Sequence, residues 1–138
     1  MKEGVTMRTP EDDRIMGGYC YGPADLNRIE KGDSMMWLQL STVSGDAATA
    51  LYEDCVYWRL EKEQTGLHIP LVEQLTADEL LKPSHYDTLN ELKKNSDNVE
   101  NLLKSWEKEG LKFYLHYGVN PGSEYLVVAG NLKYREEN

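Results

Sequence analysis

The last fifth of the chain constrains the fold most. Residues 111–117 are rich in aromatics and alternate weakly, Asn120-Pro121-Gly122-Ser123 has the Pro-Gly centre of a type II turn, and residues 125–134 resume with Leu126, Val127 and Val128. Two extended segments joined by so short a connection predict an antiparallel hairpin. Two strands cannot bury a hydrophobic face by themselves, so the hairpin requires a further strand or helices to cover it.

Helical spacing upstream supplies that cover. Ala47, Leu51, Cys55 and Trp58 recur at steps of four, four and three, which predicts a helix over residues 47–64 that Gly66 ends. Thr76-Ala77-Asp78-Glu79 opens a brief helix with Thr76 as its cap. Tyr86, Leu89 and Leu92, followed by Val99, Leu102 or Leu103, and Trp106, predict one long helix or two collinear ones meeting near residues 95–98 and closing at Gly110. Pro23 can start a short helix carrying Leu26 and Ile29 and ending at Gly32. In residues 35–43, Met36, Leu38 and Leu40 alternate with Trp37, Gln39 and Ser41; the run reads as a strand, although a helix would also accommodate it. Residues 67–72, interrupted by Pro70, are an edge strand or a connector. The expected fold is α+β, with two or three helices packed on a small, mainly antiparallel sheet that includes the C-terminal hairpin. Residues 1–16 read as a flexible N-terminal arm ahead of a single domain over 17–138.

Charge and cysteine content narrow the function classes. Twenty-four acidic against fifteen basic residues leave a net charge of −9, which disfavours nucleic acid and anionic membrane surfaces, since phosphate contacts need clustered Lys and Arg. The excess is uneven. Residues 41–75 carry six acids and two bases, residues 76–110 eight and five, and residues 111–138 three and three. Solvated helix faces account for that distribution. No window approaches the ~18 apolar residues of a membrane-spanning helix, and Met1-Lys2-Glu3-Gly4 has no secretory character. A cytoplasmic location is therefore expected, with Cys20 and Cys55 as reduced thiols.

No segment carries a catalytic signature, and no catalytic residue is assigned. His68, His85 and His116 fall on separate elements without metal-ligand spacing, so neither a metal nor a cofactor is expected. The adjacent acids, such as Glu53-Asp54 and Asp78-Glu79, read as solvated side chains. Gly17-Gly18-Tyr19-Cys20-Tyr21-Gly22-Pro23 is a turn-rich loop that could expose a thiol, but it reads more simply as a tight turn whose tyrosines pack on the core. It matches neither phosphate-loop pattern.

Nine tyrosines against one phenylalanine is the unusual compositional feature, because tyrosine suits interfaces and wet pockets where a buried ring keeps a polar tip. Tyr19, Cys20 and Tyr21 of the loop, with Tyr114, His116, Tyr117 and Tyr125 of the hairpin, form the candidate binding set. Half-exposed tyrosines filling sheet positions are the plainer account of the same residues. The functional expectation is a noncatalytic protein-interaction module, an inhibitor, immunity-type or adaptor protein, that meets a basic protein partner. The alternative is a small ligand-binding domain or enzyme with a Tyr/Cys-lined pocket. Homo-oligomerisation through the apolar stripe or a hairpin edge is open to the chain.

Overall fold

A computed structural model describes residues 5–8, 18–120 and 123–137, the first of these segments through its backbone alone. The predicted arm over 1–16 otherwise lies outside the described residues, as does the Pro121-Gly122 turn centre.

Three layers make up the structure. A six-stranded antiparallel sheet has the order β1 (Val5–Arg8), β11 (Asn131–Glu137), β5 (Ala47–Glu53), β4 (Met35–Thr42), β3 (Ala24–Lys31), β7 (His68–Ile69). A five-stranded antiparallel sheet runs β2 (Tyr19–Tyr21), β8 (Leu71–Leu75), β9 (Lys112–Tyr117), β10 (Glu124–Ala129), β6 (Tyr57–Trp58). Helices α1 (Ala77–Leu80), α2 (Tyr86–Lys93) and α3 (Val99–Lys108) cover the second sheet.

The second sheet is therefore buried on both faces. Along β9, Tyr114 and His116 point toward the six-stranded sheet, whereas Phe113 and Leu115 point toward the helices; β10 divides Val127 and Ala129 from Leu126 and Val128 in the same way. Opposite them, the six-stranded sheet contributes Leu26, Ile29, Met36, Leu38, Leu40, Tyr52 and Leu132. Its other face is the more solvent-facing one, with Trp37, Gln39, Thr49, Leu51 and Lys133 exposed or half-buried.

The α+β class stands, and so do the predicted β9–β10 hairpin and the strand reading of residues 35–43. Helix α1 begins with a capping box: Thr76 Oγ1 accepts from the Glu79 N–H at 3.1 Å, and Glu79 Oε1 accepts from the Thr76 N–H at 2.8 Å. Asn98 caps α3, and the break at residues 94–98 resolves the helical stripe into two helices.

Two predicted helices are strands. In β3, the register shifts between Leu26 and Arg28, so the extra residue Asn27 turns both Leu26 and Ile29 inward. That bulge creates the three-residue step that resembles helical periodicity. In β5, the inward residues are Ala48, Ala50 and Tyr52 at a period of two, and the strand pairs on both sides, with β4 and β11. Pairing of a central strand outweighs the helix propensity of its alanines. The strand ends before Asp54, which has a positive φ of 54°. The acids of residues 41–75 thus lie on strands, turns and a short 3₁₀ turn at Lys62–Gln64, and not on a helix. Residues 125–134 are also two elements, since the chain leaves the hairpin at Gly130 and crosses into the other sheet as β11.

Candidate functional site

The central sandwich brings some of the expected binding residues together. Tyr21, Tyr114 and His116 are buried between the two sheets, joined there by Tyr52 and Tyr134 from the six-stranded sheet. The Tyr21 and Tyr134 rings stack at 4.6 Å and 10°, and the Tyr52 ring meets Tyr114 edge-on at 5.4 Å.

A directional hydrogen-bond chain runs through this cluster. The Tyr125 carbonyl can only accept, so His116 Nδ1 carries the proton and donates to it at 2.9 Å. Burial pushes the imidazole down to about 4, against the opposing backbone contacts of Tyr125 and Tyr114, which leaves it neutral at pH 7. Nε2 is then an acceptor and receives the Tyr52 hydroxyl at 2.6 Å. The Tyr52 oxygen in turn accepts from the Tyr21 hydroxyl at 2.7 Å. Burial, first among the causes, raises both phenols above their ordinary value. The chain satisfies polar groups that would otherwise be stranded in the core, and its members are no more than 1% exposed.

The side chains of the remaining candidates take no part in this chain. Cys20 is 3% exposed, with its Sγ turned to the Gly18 carbonyl, and Tyr19 donates to the Gly22 carbonyl. The glycines around them are required by close packing. At Gly18, with φ of 91°, a Cβ would come within 2.5 Å of the Gln74 carbonyl oxygen, and at Gly22, with φ of 117°, within 2.9 Å of that of Pro70. The loop is thus a strand seated tightly on β8. Tyr125 packs at the rim of the sandwich beneath the Arg59 guanidinium, 5.7 Å from its ring centre. Tyr117 points the opposite way, toward the helices, and donates to Glu73 Oε1 at 2.9 Å.

A second polar cluster has no counterpart in the sequence pattern. Glu124, 5% exposed at the start of β10, accepts from Thr88 of α2 at 2.7 Å and lies 2.8 Å from Nδ1 of His85. Arg59 donates to the Glu124 carbonyl at 3.0 Å and to Asp87 at 3.2 Å. His85 and Thr88 lie three residues apart at the start of α2, whereas Arg59 and Glu124 come from separate stretches of chain that no spacing rule links to them. Cys55, 5% exposed, is held near the Tyr57 carbonyl, and burial raises its thiol to about 11.

Two depressions among the described residues involve strands of the six-stranded sheet. The larger, about 800 Å³, runs between β3 and the turn after Glu61 and is lined by Arg28, Glu30, Lys31, Trp37, Glu61 and Glu63. Arg28 pairs with Glu30, and Lys31 pairs with Glu61 at 2.8 Å. The smaller, about 360 Å³, is lined by Gln39, Ser41 and Thr49 among others. Neither includes a member of the tyrosine set. Among the described residues, no group of three or more His, Cys, Asp or Glu could hold a metal ion, and no helix is long and apolar enough to cross a membrane. No protein-family model, no curated protein and no solved structure matches this chain.

Proposed function

We propose that this chain is a noncatalytic interaction module that binds a basic protein partner through the groove beside Trp37. One contrast carries the reading. The side chains best suited to chemistry, His116, Cys20, Cys55 and Glu124, are buried and engaged with neighbours, whereas the larger groove presents a half-buried tryptophan among exposed charges. A tryptophan in a concave, charged setting is a recognition anchor. Exposed Glu63 and the Trp37 ring suit a cationic side chain, and a net charge of −9 accelerates the approach of a basic protein.

A pull-down from the source cell with the immobilised chain tests this. The expected result is a stoichiometric basic protein that elutes with salt and is lost by Trp37→Ala and Glu63→Lys variants of unchanged thermal stability. Retention of no protein at low salt, or equal retention by both variants, would sink the reading.

A ligand-binding or enzymatic role is the second reading, and one observation favours it: a buried carboxylate orients His85, as in sites where histidine is a base or a ligand. His85→Ala should then abolish small-molecule binding while leaving the groove-dependent partner bound.

A further inference from the structure

Strand β3 is paired with β4 along one edge but only partly along the other. At Ala24 and Asp25 the second edge is taken by β7, and at Leu26 by the residues just before it: the Leu26 N–H donates to the Leu67 carbonyl at 2.8 Å, and the Gly66 N–H donates to the Leu26 carbonyl at 2.7 Å. Ahead of Gly66 the chain is no longer a strand but the 3₁₀ turn at Lys62–Gln64, joined to β3 by the Lys31–Glu61 ion pair. The larger groove is the gap between that turn and the rest of β3.

The pleat decides which backbone groups face the gap. Gly32 donates to the Met35 carbonyl and Thr42 to that of Asp46, so in β4 the odd-numbered residues bond toward β3 and the even-numbered ones toward β5. Glu30, opposite Trp37, and Arg28, opposite Gln39, therefore exchange hydrogen bonds with β4. The N–H and C=O groups of Ile29 and Lys31 point the other way, into the groove, where none of them meets a backbone partner among the described residues. Such a row of unpaired groups is a template for another strand.

We propose, resting on the groove as the site of a basic partner, that the partner enters it as an extended segment that adds antiparallel to β3, exchanges hydrogen bonds with Ile29 and Lys31, and sets a Lys or Arg opposite Glu30. The side chains specify that occupant. Because Glu30 bonds toward β4, the residue opposite it on the added strand forms a non-hydrogen-bonded pair, in which side chains approach most closely. Glu30 is exposed on the outer face with Trp37 as its β4 neighbour, so a cation there meets the carboxylate with the indole beyond it. Arg28 stands on the same face and repels a second cation opposite itself, which fixes the register of the added segment.

The test uses the peptide acetyl-Thr-Val-Lys-Val-Thr-Val-amide and amide hydrogen exchange of the full chain followed by nuclear magnetic resonance. In the free protein the amides of Ile29 and Lys31 should exchange faster than those of Arg28 and Glu30, and saturating peptide should slow them by at least about tenfold. Methylation of the first two valine nitrogens of the peptide, which face β3, should weaken binding by about tenfold or more. Glu30→Lys, a change at an exposed position, should reject this peptide and accept one with Glu in place of its Lys. Unchanged exchange at Ile29 and Lys31, or equal binding by the methylated peptide, would overturn strand addition. Protection of the two amides without peptide would overturn it as well, a dependence on protein concentration then identifying a second copy as the occupant. The two readings fail separately. A basic partner retained through Trp37, with no protection of these amides by the peptide, leaves the groove as its site and removes strand addition; protection by the peptide with no basic partner retained does the reverse.

Discussion

Acidification should destabilise this protein through one histidine. His116 ionises near 6.5 in an unfolded chain but only near about 4 in the core, because burial penalises the charged ring. The folded state thus favours the neutral form. Its stabilising contribution is complete above pH 6.5 and is lost as the pH falls toward 4, the range in which the unfolded chain binds the proton and the folded one does not. At about 1.4 kcal/mol per pH unit, the loss integrates to about 2 kcal/mol by pH 5 and about 3 kcal/mol by pH 4. That is a large part of the ~5–15 kcal/mol that holds a domain of this size together. The aromatic side chains against the ring, Tyr21 and Tyr52, are phenols whose burial raises them above their ordinary value, so neither compensates. Urea unfolding at half-unit steps from pH 7 to 4 measures the effect, and the His116→Gln variant isolates it from the surface carboxylates. Glutamine can still accept from Tyr52 and donate to the Tyr125 carbonyl, but it does not titrate. Wild type should lose about 3 kcal/mol more than the variant across the range. Equal losses in the two proteins would refute the argument.

Four further outcomes follow from the same structure. Thr88→Val removes the hydroxyl that donates to buried Glu124 and should lower stability by about 1–3 kcal/mol, read as a shift in the urea midpoint; an unchanged midpoint would show that the carboxylate is otherwise satisfied. Gly18→Ala drives a Cβ against the Gln74 carbonyl at a positive φ and should destabilise by more than about 1 kcal/mol, visible as a lowered thermal midpoint. Thr76→Ala breaks the α1 capping box and should cost about 1 kcal/mol, with faster amide exchange at the Glu79 N–H as its local signature. Cys20 and Cys55, 3% and 5% exposed, should resist a thiol-specific reagent at neutral pH and react only in urea; rapid native labelling of Cys20 would restore the idea of an accessible thiol loop.

Local chemistry is legible wherever an element depends on near neighbours in sequence. Thr76 with Glu79, and the apolar steps from Val99 to Trp106, specify α1 and α3 because cap and stripe are complete within a few residues. The β9–β10 hairpin is legible for the same reason, as two extended runs across a short turn. Periodicity misleads at β3 and β5. At β3, one bulged residue converts a period of two into an apparent three. At β5, the alanine-rich run becomes a strand because β4 and β11 lie on either side of it, partners that no local propensity reveals.

The candidate sites divide along the same line. Composition alone marks tyrosine as the residue to follow, and sequence position assigns its members to the loop and the hairpin. Only the stacking of two sheets decided that Tyr21, Tyr114 and His116 meet Tyr52 and Tyr134 in the interior, while Tyr117, one pleat further along β9, faces the helices. The pairing of Glu124 with His85 and Thr88 was equally a product of the fold. Pattern within a segment reports which face of an element is apolar, but which faces come together depends on strand order and layer packing. Those are set by burial summed over the whole chain, and that sum decided where this protein's chemistry lies.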